Sequence, residues 1–304
     1  MKKPIASLVV ISAVLSMLTA PAVAAEEPNG SNQNLPVNYE LLTAVEYISA
    51  VEKSASTCII PFGVLEKHGP HLPLGTDLID VREVALRAAR AEYTIVFPEY
   101  YFGQILEGRH QPGTIAYSTR IIWDLLQETC DELARNGIKK IIIVNGHGGN
   151  SHFLRFFCQA QLGKRSDYAI YLFSPKDDPD VQKKIKKLRK STTGGHAGEM
   201  ETSVMMAHRP DLVHLERAKE QSGEDRKRLK DLDDAYVGIW WYASFPNHYA
   251  GDGSLATKEL GELVLNSKVD QLTKFIQTVK KDKSVRELQN RFFDEAEKPI
   301  NTKQ

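Results

Sequence analysis

Short runs rich in β-branched and aromatic residues alternate along this chain with longer stretches of helical periodicity. Residues 57–63 (TCIIPFG), 93–100 (YTIVFPEY), 139–146 (KKIIIVNG) and 168–175 (YAIYLFSP) are apolar runs that stop at turn-forming residues, the pattern of buried strands. Between them, 80–92, 118–137 and 150–163 read as helices. The clearest is 118–137, where Ile122, Leu125, Leu126, Cys130 and Leu133 recur on one face between a Ser-Thr start and a stop at Gly137. A long amphipathic helix is predicted over 255–281. The charge-rich stretches 176–190 and 216–234 read as solvated helix faces rather than binding patches. Strands alternating with helices predict an α/β fold, a largely parallel sheet covered by helices on both faces.

The first 24 residues fall outside that pattern. Two lysines, an apolar stretch over 5–18 and then Ala22-Val23-Ala24 have the three-part layout of a secretory signal peptide. The apolar stretch is shorter than the ~20 residues that span a bilayer. The mature chain is therefore expected to be periplasmic or secreted, with no membrane attachment after cleavage. Polar residues over 25–41 predict a flexible linker, which leaves 42–304 as a single domain large enough to bury a sizeable core. The full chain has 39 basic and 39 acidic residues; losing Lys2 and Lys3 with the leader leaves a net charge of −2, no footprint for nucleic acid. Cys58, Cys130 and Cys158 each lie in an apolar segment and share no metal-type spacing, so they read as buried free thiols.

The chemistry gathers where strands end. In an open α/β sheet, ligands bind beyond the carboxyl ends of the strands. After the first strand comes GVLEKHGPHLPLGTD, with Glu66, His68, His71 and Asp77; Glu66 and His68 are two apart, so an extended chain points them the same way. After the third comes NGHGGN, in which Gly148 and Gly149 let the backbone approach whatever His147 touches. This fits neither GxGxxG nor GxxxxGK[ST], which argues against a phosphate loop. A third cluster, HAGEMETS, brings His196, Glu199 and Glu201 to the start of a helix without the HExxH spacing of a zincin. Carboxylates and neutral imidazoles are the ligands of borderline divalent cations. Glu66, His68, Asp77, His147 and Glu201 suffice for two ions sharing one bridging carboxylate, with positions left for water and substrate. Three carboxylates against two divalent ions leave a positive site that favours ionising a bound water to hydroxide. Among lesser candidates, His71 reads as a support behind the ligands or a turn residue, Glu107 and His110 as pocket lining, and Glu199 as a helix-start carboxylate or support. His152, His208, His214 and His248 find no convincing partner in the sequence.

These ordered motifs, with the later YAGDGSLATKELGE, resemble the creatininase family of metal-dependent amidohydrolases over about residues 42–280. The resemblance implies a three-layer αβα sandwich, a hexameric homo-oligomer, and two zinc or manganese ions per chain, with iron a third candidate. It assigns Glu66 and His147 to one ion, His68 and Glu201 to the other, Asp77 to the bridge, and His196 to acid/base chemistry. Creatinine-hydrolysing members carry Tyr and Glu where this chain has Gly148 and Gly149, and Trp-Asp where it has Thr192 and Thr193; Trp240 and Trp241 are the remaining candidates for an aromatic clamp. A substrate other than creatinine is expected: a small cyclic amide or a formamide, cleaved at a C–N bond that is not an internal peptide bond. The alternatives are a short-peptide-trimming metallopeptidase and a non-catalytic binding homologue.

Overall fold

β1 (Thr57–Phe62) is buried along its whole length and lies inside a four-stranded parallel sheet of order β2 (Ile95–Val96), β1, β3 (Lys140–Asn145), β4 (Ala169–Leu172). The structure, a computed structural model, describes residues 35–303 except Asp233; the predicted signal peptide and residues 25–34 of the predicted linker lie outside the described residues. Register pairs Ile59 with Ile142 and Phe62 with Asn145, so the first and third strands end level. Their following loops therefore open on the same edge.

Strand alternation divides the core in two. Cys58, Ile60, Phe62, Ile141 and Ile143 face α1 (Ala44–Lys53), α3 (Thr119–Arg135) and α4 (Asn150–Ala160). Ile59, Ile142 and Val144 face α2 (Thr76–Ala91) and α8 (Lys258–Lys281), with Val204 of α6 (Glu199–His208) joining them. Each face is covered because apolar side chains leave both sides of a buried parallel strand. The result is the predicted three-layer α/β architecture. At Gly261, α8 meets the backbone of α6 directly: a Cβ there would lie 1.8 Å from Ser203 O, and Ser203 Oγ accepts from Thr257 N at 3.0 Å. This close approach holds α6, and hence Glu201, against the domain. All three cysteines are free. No helix among the described residues is long and apolar enough to cross a membrane.

Several boundaries differ from expectation. Residues 35–41 are not a linker: Val37 is buried, its carbonyl accepts from Val96 N at 2.7 Å, and 39–41 form a short 3-10 turn. Strand β2 keeps two of its eight predicted residues, because the pairing slips by one: Phe97 N donates to Ile59 O at 2.8 Å, but Tyr100 N, not Glu99 N, reaches Pro61 O, at 3.4 Å. In 176–190 the helix forms as α5 (Pro179–Leu188), capped by Asp178, which accepts from Asp180 N and Val181 N at 2.9 and 3.2 Å. Among its described residues the run 216–234 forms no α-helix. Gly223 lies so close to Gly251 that a Cβ would meet its carbonyl at 2.2 Å, and the run has too few apolar residues to form a buried stripe. α1, the short α7 (Trp240–Ser244) and α9 (Ser284–Ala296) were not legible. α1 carries a Thr43/Glu46 capping box, but it and α9 show too little buried apolar surface to mark a period.

Candidate metal centre

The loops after β1 and β3 and the first turns of α2 and α6 converge on one point. After β1 the chain turns back on itself, with Glu66 N donating to Leu74 O at 3.0 Å and Gly69 in the left-handed region at φ +56°. The return brings Asp77 into the first turn of α2, which begins four residues earlier than predicted. After β3, Asn145 grips His147 from both sides: its Nδ2 donates to His147 O at 2.7 Å and its Oδ1 accepts from His147 N at 3.2 Å. Gly146 leaves room for this, since a Cβ there would meet Asp77 O at 2.6 Å. Ala197, strained at φ +54°, turns its N–H onto Glu201 Oε2 at 2.6 Å and fixes that carboxylate at the start of α6.

Glu66, His68 and Asp77 are buried to within 4% and His147 to 6% relative exposure. His147 Nδ1 lies 2.7 Å from Glu66 Oε1 and 3.2 Å from Asp77 Oδ2, and His68 Nε2 lies 3.1 Å from Asp77 Oδ1 and 3.8 Å from Glu66 Oε1. Yet Glu66 Oε1 and Asp77 Oδ2 make no hydrogen bond among the described residues. With His147 Nδ1 they converge on one point, which is how ligands around a cation are disposed. Glu66, Asp77 and His147 form one group of ligand atoms within 4.8 Å of one another, and His68, His196 and Glu201 form a second. These donors fit two divalent cations.

Without a cation the cluster balances its charge with protons. Burial pushes Glu66 up, but His147 and His196 outweigh it and hold the carboxyl well below its usual range. Burial likewise lowers His68, while Asp77, Glu66 and Glu201 overcome it and raise the imidazole to about 10. His147 is raised well above its ordinary value, against burial, chiefly by Glu66. Glu201 is pushed up to about 7 by burial, with His68 opposing and Asp77 adding. His196 goes the other way, down to about 3, through burial and the nearby His68 and His248, despite the pull of Glu66. Its Nε2 lies 2.8 Å from Lys67 O, which only accepts, so Nε2 carries the proton and Nδ1 turns its lone pair toward Glu201 Oε2 at 4.0 Å.

The lesser candidates divide. Glu107 joins the site: Oε1 lies 3.5 Å from His147 Nε2, while Oε2 accepts from Gln104 Nε2 at 2.9 Å. Gly148 and Gly149 line the cavity with it. His71 touches no ligand atom; its Nε2 bonds Thr202 Oγ1 at 2.8 Å, tying the turn to α6 one residue beyond Glu201. Glu199 is neither ligand nor pocket lining. It accepts from Lys190 N and Ser191 N at 2.8 and 2.6 Å, because its place in the first turn of α6 aims it back at the preceding loop. His248 is the residue that sequence reasoning missed: Nε2 bonds Glu66 Oε2, across 182 positions of chain. Its only signal was proximity to the YAGDGS segment. A cavity of about 1250 Å³ opens over the site, walled by Phe153, Tyr236, Ile239, Trp240, Trp241 and Tyr242.

A sequence-family profile for creatininase, described as creatinine amidohydrolase, matches residues 40–276. The creatinine amidohydrolase of Pseudomonas putida is 31% identical over 193 residues, 58% of this chain and 73% of that protein. A mycofactocin precursor peptide peptidase of Mycobacterium tuberculosis (strain ATCC 25618 / H37Rv) is 30% identical over 197 residues, 61% of this chain and 71% of that one. The 3-dehydro-scyllo-inosose hydrolase of Thermotoga maritima is 24% identical over 246 residues, 75% and 78% of the two chains. Among solved structures, a creatinine amidohydrolase superposes with a TM-score of 0.70 at 25% identity, over 82% of this chain and 99% of that one. A creatininase variant of Zn-Zn type gives 0.66 at 25% identity, and a manganese creatininase 0.68 at 24%, each over 81% of this chain and 99% of the other.

Proposed function

This chain belongs to the creatininase family and is a hydrolase, and from that premise we propose that it cleaves a C–N amide bond, in a cyclic amide or a formamide other than creatinine, with two divalent cations. The observation that carries this is the convergence of Glu66 Oε1, Asp77 Oδ2 and His147 Nδ1 without hydrogen bonds between them, beside His68 and Glu201. Glu66 and His147 would hold one cation, His68 and Glu201 the other, and Asp77 both; zinc or manganese, the metals of the solved neighbours, suit this donor set, with iron third. Bound there, the pair would supply Lewis acidity toward a carbonyl oxygen and acidify a water.

The chain's own groups do the rest. His196 is neutral at neutral pH and keeps Nε2–H on Lys67 O, so Nδ1 is free to take a proton and hand it to the departing nitrogen. Gly148 and Gly149 leave the floor of the cavity open where a side chain would narrow it. One observation favours a second reading, the trimming of a short peptide. A cavity of about 1250 Å³ exceeds the roughly 300–1,000 Å³ common for small-molecule sites, and a peptidase is among the relatives.

Export is proposed from the leader-like first 24 residues, and a homo-oligomer, hexameric by the resemblance, is testable by light scattering. The activity is tested by assaying cyclic amides, formamides and short peptides after reconstitution with zinc and with manganese. Release of an amine or formate from a small amide supports the first reading, and turnover of peptides alone supports the second. A fully folded protein that takes up neither ion overturns both.

A further inference from the structure

We propose that His248 is a positioning residue for the metal ligand Glu66, held in the required tautomer by Trp241 of the cavity wall. The inference rests on the two-cation reading and adds a support to it that no motif assigns.

Trp241 Nε1 lies 2.8 Å from His248 Nδ1, and the far nitrogen of the ring, Nε2, meets Glu66 Oε2. An indole N–H only donates. His248 Nδ1 must therefore offer its lone pair, and the proton of the neutral ring sits on Nε2, where it is donated to Glu66 Oε2. That bond occupies Oε2 and leaves Oε1, the oxygen nearest His147, for a cation. The same logic decides between two roles for His248. It lies with Glu66 and His196 in a third group of ligand-type atoms within 4.8 Å. An N–H cannot ligate a metal, and His196 also carries its proton on Nε2, against Lys67 O. Both histidines of that group present N–H rather than a lone pair, so it reads as a hydrogen-bonding brace and not a third cation site.

The fold has made room for this brace. His248 adopts φ +52°, an uncommon conformation for a residue with a side chain, and a Cβ on Gly108 would come within 3.0 Å of its ring. The ring is 1% exposed, so the bond to Glu66 does not compete with solvent. Trp241 also walls the cavity. A substrate that presses on the indole thus acts on a residue two hydrogen bonds away from the carboxylate.

The test is a chelator competition for manganese and for zinc on purified full-length protein, with wild type, His248→Ala, His248→Gln and Trp241→Phe. Loss of a partner behind a ligand typically weakens metal binding by roughly 10–100-fold. His248→Ala should show that loss at one of the two ions and spare the other, and His248→Gln, which retains a donor for Glu66, should recover most of it. Trp241→Phe should give a smaller loss at the same ion. Nitrogen NMR of histidine-labelled protein should show His248 protonated at Nε2 in wild type and a mixture of tautomers in Trp241→Phe; this arm stands if His248→Ala does not fold. Unchanged affinity for both ions in folded His248→Ala, or a wild-type ring protonated at Nδ1, overturns the proposal, as does disappearance of a third ion with His248→Ala. Failure of wild type to bind any ion is a different result and overturns the two-cation reading itself.

Discussion

Asp77 faces both halves of the site: Oδ1 lies 3.1 Å from His68 Nε2 and Oδ2 lies 3.2 Å from His147 Nδ1. A carboxylate splayed between two imidazoles in this way has one oxygen for each of two cations. Asp77→Ala should therefore abolish binding of both ions, whereas His68→Ala should spare the ion held by Glu66 and His147. Elemental analysis of the two purified variants checks this, and equal metal content would contradict the bridge.

His196 separates turnover from metal binding. Its Nε2 is spent on Lys67 O and its Nδ1 lies 4.0 Å from Glu201. The ring is thus placed to move protons beside the ligands. His196→Ala should keep both ions and lose roughly 10²–10⁴-fold in kcat, the usual contribution of a general acid/base. Loss of one ion along with activity would make His196 a ligand of the His68/Glu201 half instead.

Protons and cations compete for these ligands, which gives the stability of metal-free protein a defined pH dependence. His68 has its folded value raised to about 10 from an ordinary 6.5, so its contribution is fully present below 6.5 and is lost as pH rises through 10. Glu201, raised from 4.5 to about 7, has the same sign over a lower window: it favours the fold below 4.5 and ceases to as pH passes 7. Glu66 opposes them only in acid, since its value is depressed and its contribution is lost as pH falls below 4.5. The melting temperature of metal-free protein should decline between pH 6.5 and 10, and reconstituted protein should decline less, because cations replace the protons. Binding at neutral pH should also release protons, measurable by calorimetry in buffers of different ionisation enthalpy. A metal-free protein that gains stability over the same interval would refute the charge balance described here.

What the sequence reveals and conceals follows from how far each feature reaches. β1 and β3 were legible because both faces of a central parallel strand are buried, so Cys58 to Phe62 and Ile141 to Val144 run apolar without alternation. Glu66, His68, Asp77, His147 and Glu201 were legible because each sits beside glycines at a strand end or helix start, where composition changes abruptly. β2 was overextended because apolarity says nothing of the one-residue slip between Val96 and Tyr100 that breaks its ladder with β1. His248 was hidden for another reason. Its partners, Glu66 and Trp241, lie 182 and 7 positions away and share no motif with it, and the segment reaches the site through contacts remote in sequence, among them the antiparallel bridge of His196 with Ala250 and Lys67 Nζ to Asn247 O at 2.7 Å. Glu107 stood between these cases, visible as a polar residue after a strand but with no sign that it would face His147.

The two adjacent glycines of NGHGGN should answer substitution in opposite ways. A Cβ on Gly148 would meet nothing within 4 Å, whereas one on Gly149 would lie 2.1 Å from Glu107 Oε1 and 2.4 Å from His147 Nε2. The Glu107 carboxylate ends a flexible side chain and can swing away, but the His147 backbone is held on both sides by Asn145 and its buried ring faces Glu66 and Asp77. The new methyl must therefore tilt the ring or push back the start of α4, and either takes Nδ1 away from the point where the carboxylates converge. Gly148→Ala should keep both ions at wild-type affinity, while Gly149→Ala should lose the ion shared by Glu66 and His147 and keep the one at His68 and Glu201. Comparing the metal content and melting curves of the pair isolates the steric effect, since both add one methyl to the same turn. Identical metal content in the two variants would mean that the crowding around Gly149 relaxes without cost, and that the imidazole is not held as tightly as its neighbours imply.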